Sequence, residues 1–498
     1  MSVEELMKSG EELKEIAGRL YDEIKRGSDL TVSRYTHIAD DYVRFVNGKT
    51  GMERIVGSDL NKENMTQGVY TRAYFADLQA ESFDEATVCR DLQERRFKFP
   101  HKGLELPSEE TVFIEAIPTN VAMYDDELRD FTRLHRNTIV GRSFIVEQKV
   151  VVNSRGGIAI QSIPFVEIRY DHGFAPLPVS RGISAVCAST DDVKKLVGMI
   201  KYLADPTQDK RIKNSPTFTD AFHELHKISA LRYGSLEDAG IPLSGLYDAV
   251  VLTGVPAHEV FGHHFEEPMG FINFGDSGTF KYGQDIGNKD IVLMDNPEQM
   301  IEGLRVRGFT FFDAYGRGRP ARTHIKDGKV VEFLGGEYAD QSKLKKYMNL
   351  EASGFVGNSS QYKDGHFPQP RMSCTVLDGR TEKIDLEGKI LLVSHSGHTL
   401  NSDKTYVVEA QECYVMRGGV PLRVVPLKVT GGINQALANI TLLEDLSYNT
   451  GFCGKSEPID YRGEARVPVS QYSRSQLWRG QQLYPLEISD PHLKILTK

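Results

Sequence analysis

The stretch DAVVLTGVPAHEVFGHHFEE, residues 248–267, changes its period in the middle. Ala249–Leu252 is an apolar, partly β-branched run, the mark of a short buried strand. Gly254 turns the chain, Pro256 suits the first turn of a helix, and HEVFGHHFE follows on that helix. His258, Glu259, His263, His264, Glu266 and Glu267 all sit on it. In the H-E-x-x-H metal helix, histidines at i and i+4 face one way and the Glu activates a water at the metal. Here position i+4 is Gly262, which cannot ligate, and the next histidines stand at i+5 and i+6. On a regular helix i+5 lies about 140° around and about 7.5 Å along from i. A single π-bulge near Gly262 would bring His263 almost under His258, and such bulges concentrate at functional sites. His263 is preferred to His264 because it is nearer along the axis. The bland alternative is a helix whose histidines are surface or capping groups.

A metal site of this type needs at least one more ligand, and catalytic zinc keeps three protein ligands plus water. The five cysteines, at 89, 187, 374, 413 and 453, are odd in number and contain no C-x-x-C pair, which argues against a disulfide framework and for a reducing compartment. Cys187, Cys374 and Cys413 lie in apolar or alternating runs and read as core, whereas Cys453 stands between Gly451 and Gly454 and reads as a thiol on a reachable turn. Glu266 and Glu267 could ligate but lie far along the same helix. His395 and His398 read as ordinary loop residues, and HELH at 223–226 as a solvated helix face.

Upstream of this centre, residues 9–26 read as an amphipathic helix: Leu13, Ile16, Leu20 and Ile24 recur at three- and four-residue steps and Ser9 suits the N-cap. Asn47-Gly48 marks a hairpin, and residues 144–170 read as another, broken at Gly156-Gly157. A second helix is expected over 189–204, capped by Ser189 or Thr190. Residues 205–216 are polar with two prolines and form the linker candidate, followed by a helix over 217–234. Downstream the chain is strand and turn, with Asp327-Gly328 at one turn. The expected fold is α+β in two domains: an antiparallel-sheet and helix domain over 1–215, and a β-rich domain over 216–498 that carries the metal-binding helix.

The chain of 498 residues has 40% hydrophobic and 26% charged residues and a formal net charge of −9. That is an ordinary globular mixture, which excludes a disordered or collagen-like chain. Its basic clusters are short, which disfavours a nucleic-acid partner. The longest mostly apolar stretch, Tyr247–Ala257, is far short of the roughly 20 residues that span a bilayer, and no secretory signal is visible, so a cytoplasmic protein without a membrane partner is expected.

Taken together, DAVVL, HEVFGH, RPARTHIKDGKV, GNSSQ, PQPRMSCT, LKVTGG and GFCGK resemble the TldD/PmbA family, specifically its TldD-type zinc metalloprotease subunit. The resemblance is clear over roughly 230 to 456. It implies Zn²⁺ held by His258, His263 and Cys453, with Glu259 as general base, and His264 as a neighbour. It further implies cleavage of unfolded or small peptides inside a dimer, either a homodimer or a heterodimer with a PmbA-type paralogue. PmbA-type chains lack HExxxH and this chain keeps it. The segment after Lys455 departs from the family's glycine-rich ending. Two competing expectations are a zinc hydrolase of a non-peptide amide and a metal-stabilised assembly subunit without turnover.

Overall fold

The computed structural model describes residues 7–25, 30–46, 49–66, 69–76, 93–95, 107–134, 138–172, 179–199, 246–251, 256–266, 280–334, 359–360, 369–400, 404–418, 420–424, 426–456 and 464–485. The first helix, Gly10–Ile24, opens on a capping box: Ser9 Oγ accepts from Glu12 N at 3.2 Å and Glu12 Oε2 accepts from Ser9 N at 2.6 Å. The expected face, Leu13, Ile16, Leu20 and Ile24, is buried against Tyr35, Val150, Val152 and Ile160 of a sheet.

That sheet has eight strands. Leu30–Val46, Thr138–Asn153 and Ile158–His172 form its centre. Val46 pairs antiparallel with Lys49, as the expected hairpin requires, and Asn47 and Gly48 themselves lie outside the described residues. The second hairpin turns at Gly156, whose φ is +97°, and at Gly157, where a Cβ would lie 2.1 Å from Pro107 O. Only glycine tolerates both demands. One expectation needs correcting: Glu110–Ile114 pairs parallel with Ile158–His172, after a crossover containing the helix Asp125–Leu134, so this sheet is mixed. Apolar alternation identifies a strand but carries no direction.

A second sheet of twelve strands runs from Leu246–Val251 to Glu464–Pro485. It too is mixed, with Cys374–Gly379 parallel to Glu464–Pro485 and Ile390–Leu400 parallel to Leu246–Val251. The chain is thus mostly β, more so than α+β anticipates, and its described helices are short. Asp327 and Gly328 both take positive φ, 52° and 75°, at the expected turn. The helix with Ser189 as N-cap spans Thr190–Gly198. The linker candidate 205–216, the expected helix 217–234 with its HELH, and Glu267 lie outside the described residues.

The segment after Lys455 proves central. Glu464–Pro485 pairs with Cys374–Gly379, Leu427–Gly432, Thr441–Ser456 and Leu246–Val251, and buries Trp478. The two sheets share a core in which Val140, Val166 and Ile183 meet Leu304, Val306, Cys374 and Val376. Ser184 N donates to Thr450 Oγ1 at 3.2 Å across the same seam. No helix among the described residues is long and apolar enough to cross a membrane.

Candidate metal centre

The strand Leu246–Val251 leads toward a π-helical turn, Ala257–Phe261, which continues as a 3₁₀ turn, Gly262–Phe265. Gly262 N donates to Ala257 O, the i to i+5 bond that defines the wide turn. The extra residue per turn brings i+5 beneath i: the rings of His258 and His263 have centroids 4.6 Å apart. Gly262 is dictated by packing. A Cβ there would approach Met372 Sδ to 2.7 Å and Thr375 Oγ1 to 3.2 Å. The position that in H-E-x-x-H bears a ligand is therefore pressed against the strand Cys374–Gly379. Phe261 holds the turn from the other side, packing on Trp478 with centroids 5.7 Å apart.

Cys453 reaches the helix from the strand Thr441–Ser456, paired with Val467, rather than from a turn, and it is buried. One ligand atom each from His258, Glu259, His263 and Cys453 lie within 4.8 Å of one another. Cys453 Sγ stands 3.1 Å from His263 Nε2, and Glu259 Oε2 3.3 Å from the same nitrogen. Donors around a tetrahedral zinc, bonded at about 2.0–2.3 Å, stand about 3.5 Å apart, so the cluster has the size of a zinc nest. Two soft or borderline donors beside a thiol suit the same ion.

Both imidazoles are oriented from behind. The Thr375 hydroxyl donates to Met372 Sδ at 3.0 Å, so its oxygen accepts from His258 Nδ1–H at 2.7 Å. That tautomer leaves the lone pair of His258 Nε2 facing inward, and this buried nitrogen has no hydrogen-bond partner. A buried acceptor without a hydrogen-bond partner, facing a cluster of donors, fits a metal ligand. His263 Nδ1 contacts Glu266 Oε2 at 3.1 Å, while Glu266 Oε1 accepts from Met372 N at 3.1 Å and pairs with Arg371 at 3.4 Å. Glu266, a candidate ligand by sequence, is therefore the support of a histidine and stands outside the donor cluster. His264 points elsewhere, edge-on to Phe280, and burial pulls its pKa down to about 3.

The thiol is electrostatically prepared. Burial pushes Cys453 up, but the Arg371 guanidinium, then His263 and His258, pull it more strongly the other way, to about 6. Arg371 also donates to Cys453 O at 2.8 Å. For His263 the burial penalty is outweighed by Cys453 and Glu266, which hold its pKa well above the ordinary histidine range. The core cysteines behave oppositely: burial pushes Cys187 to about 12 and Cys374 well above an ordinary thiol. His395 and His398 lie on the strand Ile390–Leu400 rather than in a loop. Sequence reasoning passed over Thr375, Arg371 and the supporting role of Glu266. Arg371 and Thr375 stand in PQPRMSCT, where nothing local marks them as partners of a helix more than a hundred residues away.

Residues 249–468 match the family model of the PmbA/TldA metallopeptidase C-terminal domain. A protein of Archaeoglobus fulgidus named "Metalloprotease" is 26% identical over 255 residues, 49% of this chain and 54% of that protein, so the match spans about half the length of each. Among solved structures, one from Thermotoga maritima described as a modulator of a DNA gyrase aligns with a TM-score of 0.60 at 15% identity, over 95% of this chain and 100% of that one. TldE from Thermococcus kodakarensis aligns with a TM-score of 0.59 at 12% identity, over 94% and 99%. At those identities the two structures speak for the fold alone. The domain match over 249–468 and the metalloprotease-named relative agree in supporting the TldD/PmbA family, and the solved structures share the fold.

Proposed function

We propose that this chain is a zinc metallopeptidase with His258, His263 and Cys453 as ligands and Glu259 as general base. The observation that carries the reading is the convergence of these four side chains within 4.8 Å around the unpartnered Nε2 of His258. Zinc in that nest would supply Lewis-acid activation of a water and of the scissile carbonyl. Glu259, whose side chain keeps 13% of its surface exposed, takes the proton of the attacking water and passes it to the leaving amine. Thr375 and Glu266 keep both imidazoles presenting Nε2, and Arg371 keeps the thiol deprotonated near neutrality. A substrate added as an extended strand beside the β-rich half would bind through its main chain, which suits unfolded or small peptides. The working assembly in this reading is a cytoplasmic homodimer or a heterodimer with a PmbA-type paralogue, without nucleic-acid or membrane partners. The chain then divides near 215 into a supporting N-terminal domain and a metallopeptidase domain.

The test is Glu259→Gln, followed by elemental analysis and by mass spectrometry of an unstructured peptide library. We expect metal content to be kept and turnover to fall by about 10²–10⁴-fold. Near-normal cleavage would remove Glu259 from the chemistry. The presence of Glu259 inside the donor cluster favours one second reading, a structural ion with four protein ligands. In that case Glu259→Gln sheds the metal, and the wild type cleaves nothing.

A further inference from the structure

The contacts that orient the metal ligands converge on one short stretch, residues 371–375. Arg371 donates to Cys453 O at 2.8 Å. Met372 N donates to Glu266 Oε1 at 3.1 Å, and the other oxygen of Glu266 contacts His263 Nδ1. Thr375 Oγ1 accepts from His258 Nδ1–H. Each of the three ligands is thus backed by this stretch, Cys453 and His258 directly and His263 through Glu266. A shift of the stretch would move all three, so what fixes it matters to the site.

Its anchor is Asp295, the last residue of the strand Ile291–Asp295, opposite Thr375 in the sheet. Ile291, Leu293 and Asp295 alternate inward, so a carboxylate fills a place where the pattern calls for an apolar side chain. A fully buried acid is the informative exception in such a run. Its Oδ1 accepts from Ser373 N at 2.8 Å, Ser373 Oγ at 2.9 Å and Cys374 N at 2.9 Å. Successive amides that turn onto one anion form a concave bend, and the anion holds that bend. The carbonyls of the stretch are tied from other sides: Arg319 Nη2 donates to Arg371 O, Ser470 N to Ser373 O at 3.0 Å and Asn296 N to Cys374 O at 2.9 Å. A Cβ at Gly308 would lie 2.1 Å from Ser373 O, so the bend is also tightly walled. Burial raises the pKa of Asp295, while Arg319 and the donors of Ser373 and Cys374 oppose that rise. Arg319 itself is shared, since Asp313 and Glu266 act on it too. Asp295 stands outside the cluster of donor atoms around His258 Nε2.

We propose that Asp295 is a positioning residue that aims all three metal ligands at once by holding residues 371–375 in their bend. The proposal rests on the ligand set of the peptidase reading above and not on its chemistry. Asp295→Ala leaves two buried amides and a hydroxyl without their acceptor, so the bend should relax. The test uses the full chain, with zinc affinity measured by competition with a chelator and ligand geometry read from the visible absorption of the Co²⁺-loaded protein. Denaturant unfolding is run beside them. In Asp295→Ala we expect zinc affinity to fall by about tenfold or more, the lower end of what losing an outer partner of a ligand costs, and the cobalt bands to shift. Asp295→Asn keeps an acceptor at Oδ1 and should restore most of both. A folded Asp295→Ala protein with wild-type zinc affinity and wild-type cobalt bands, however much stability it has lost, overturns the proposal and leaves Asp295 a residue of the fold alone. If Asp295→Ala does not fold, Ser373→Ala decides in its place. It removes one of the three donors, and an affinity about threefold weaker with shifted bands supports the proposal, as losing one hydrogen bond would give, whereas wild-type values overturn it. Failure of the two readings is distinguishable. Wild type that binds zinc and cleaves no peptide ends the peptidase reading without touching this one, and wild type that cleaves while Asp295→Ala keeps its metal unaltered does the reverse.

Discussion

In the first sheet, Leu30–Val46 runs in unbroken register against Lys49–Thr66 on one side and Thr138–Asn153 on the other. In the second, register slips between Leu293 and Met294, repeatedly between Leu392 and Gly397, between Leu442 and Leu446, and between Trp478 and Gln481. The strand that leads to the metal helix, Leu246–Val251, is held between two of the slipping strands, Ile390–Leu400 and Glu464–Pro485. An extra residue in a strand bends it, adds twist and re-aims side chains, and such bulges gather at functional sites. The regular sheet provides mass and a wall; the irregular one provides aim. The cysteines divide in the same manner. Cys187, behind the regular sheet, is an inert apolar group, whereas Cys453 is buried equally well but surrounded by Arg371, His263 and His258.

The largest effect on the metal should follow Cys453→Ala. Removing the sulfur leaves two imidazoles and deprives Arg371 of its anion, so elemental analysis should find the variant essentially metal-free. Full occupancy would exclude Cys453 as a ligand. A wild-type titration sharpens the same point. The folded thiol titrates near pH 6, below its ordinary value of 9.0, so it is a thiolate at neutrality. Protons compete with metal for the thiolate and for His263, whose pKa is held above the ordinary histidine range, so metal affinity should fall as the pH drops, with the thiolate lost through about 6. Retention of metal at pH 5 with unchanged affinity would contradict this.

A smaller effect is expected one step further from the ion. Thr375→Val keeps the shape of the side chain and removes the acceptor for His258 Nδ1–H. Loss of such an outer partner typically costs 10–100-fold in metal affinity, measurable by competition with a chelator. Thr375→Ser keeps the hydroxyl and should recover most of that loss. If the valine variant binds metal as tightly as the wild type while the serine variant is weakened, packing against Gly262 and Met372 matters and the hydrogen bond does not.

How much of this was legible in the sequence follows the same division. The hairpins at Asn47-Gly48 and at Gly156-Gly157 are local turn chemistry, and the face of Gly10–Ile24 is local periodicity, so all three could be read directly. The anomaly at Gly262 was legible as an anomaly, since spacing alone shows that i+5 needs a wider turn. Its cause was not, because the atoms that forbid a side chain there belong to Met372 and Thr375. Cys453 stood out by its glycine neighbours, yet those glycines belong to a strand and not to a turn. Strand direction escaped as well. Glu110–Ile114 alternates no differently for being parallel to a partner, and the choice is made by where the connecting segment returns. Orienting contacts such as Thr375 to His258 bridge 117 positions and leave no local pattern.

The smallest effect on the metal should come from the regular region, and the comparison depends on it. Leu20 is 2% exposed where the first helix meets Val150 and Ile160, and it touches nothing in the metal centre. Leu20→Ala removes buried methyl groups and leaves a cavity, which costs about 2–5 kcal/mol of folding stability. Sites this far apart with no shared partners add independently to within about 0.5 kcal/mol, roughly a factor of two in affinity. Denaturant unfolding should therefore register the loss while zinc affinity of the folded fraction stays within about twofold. A tenfold fall in affinity would mean that the helix and its wall steer the ligands through the shared core of Val306, Cys374 and Val376, and that aim is not confined to the irregular sheet.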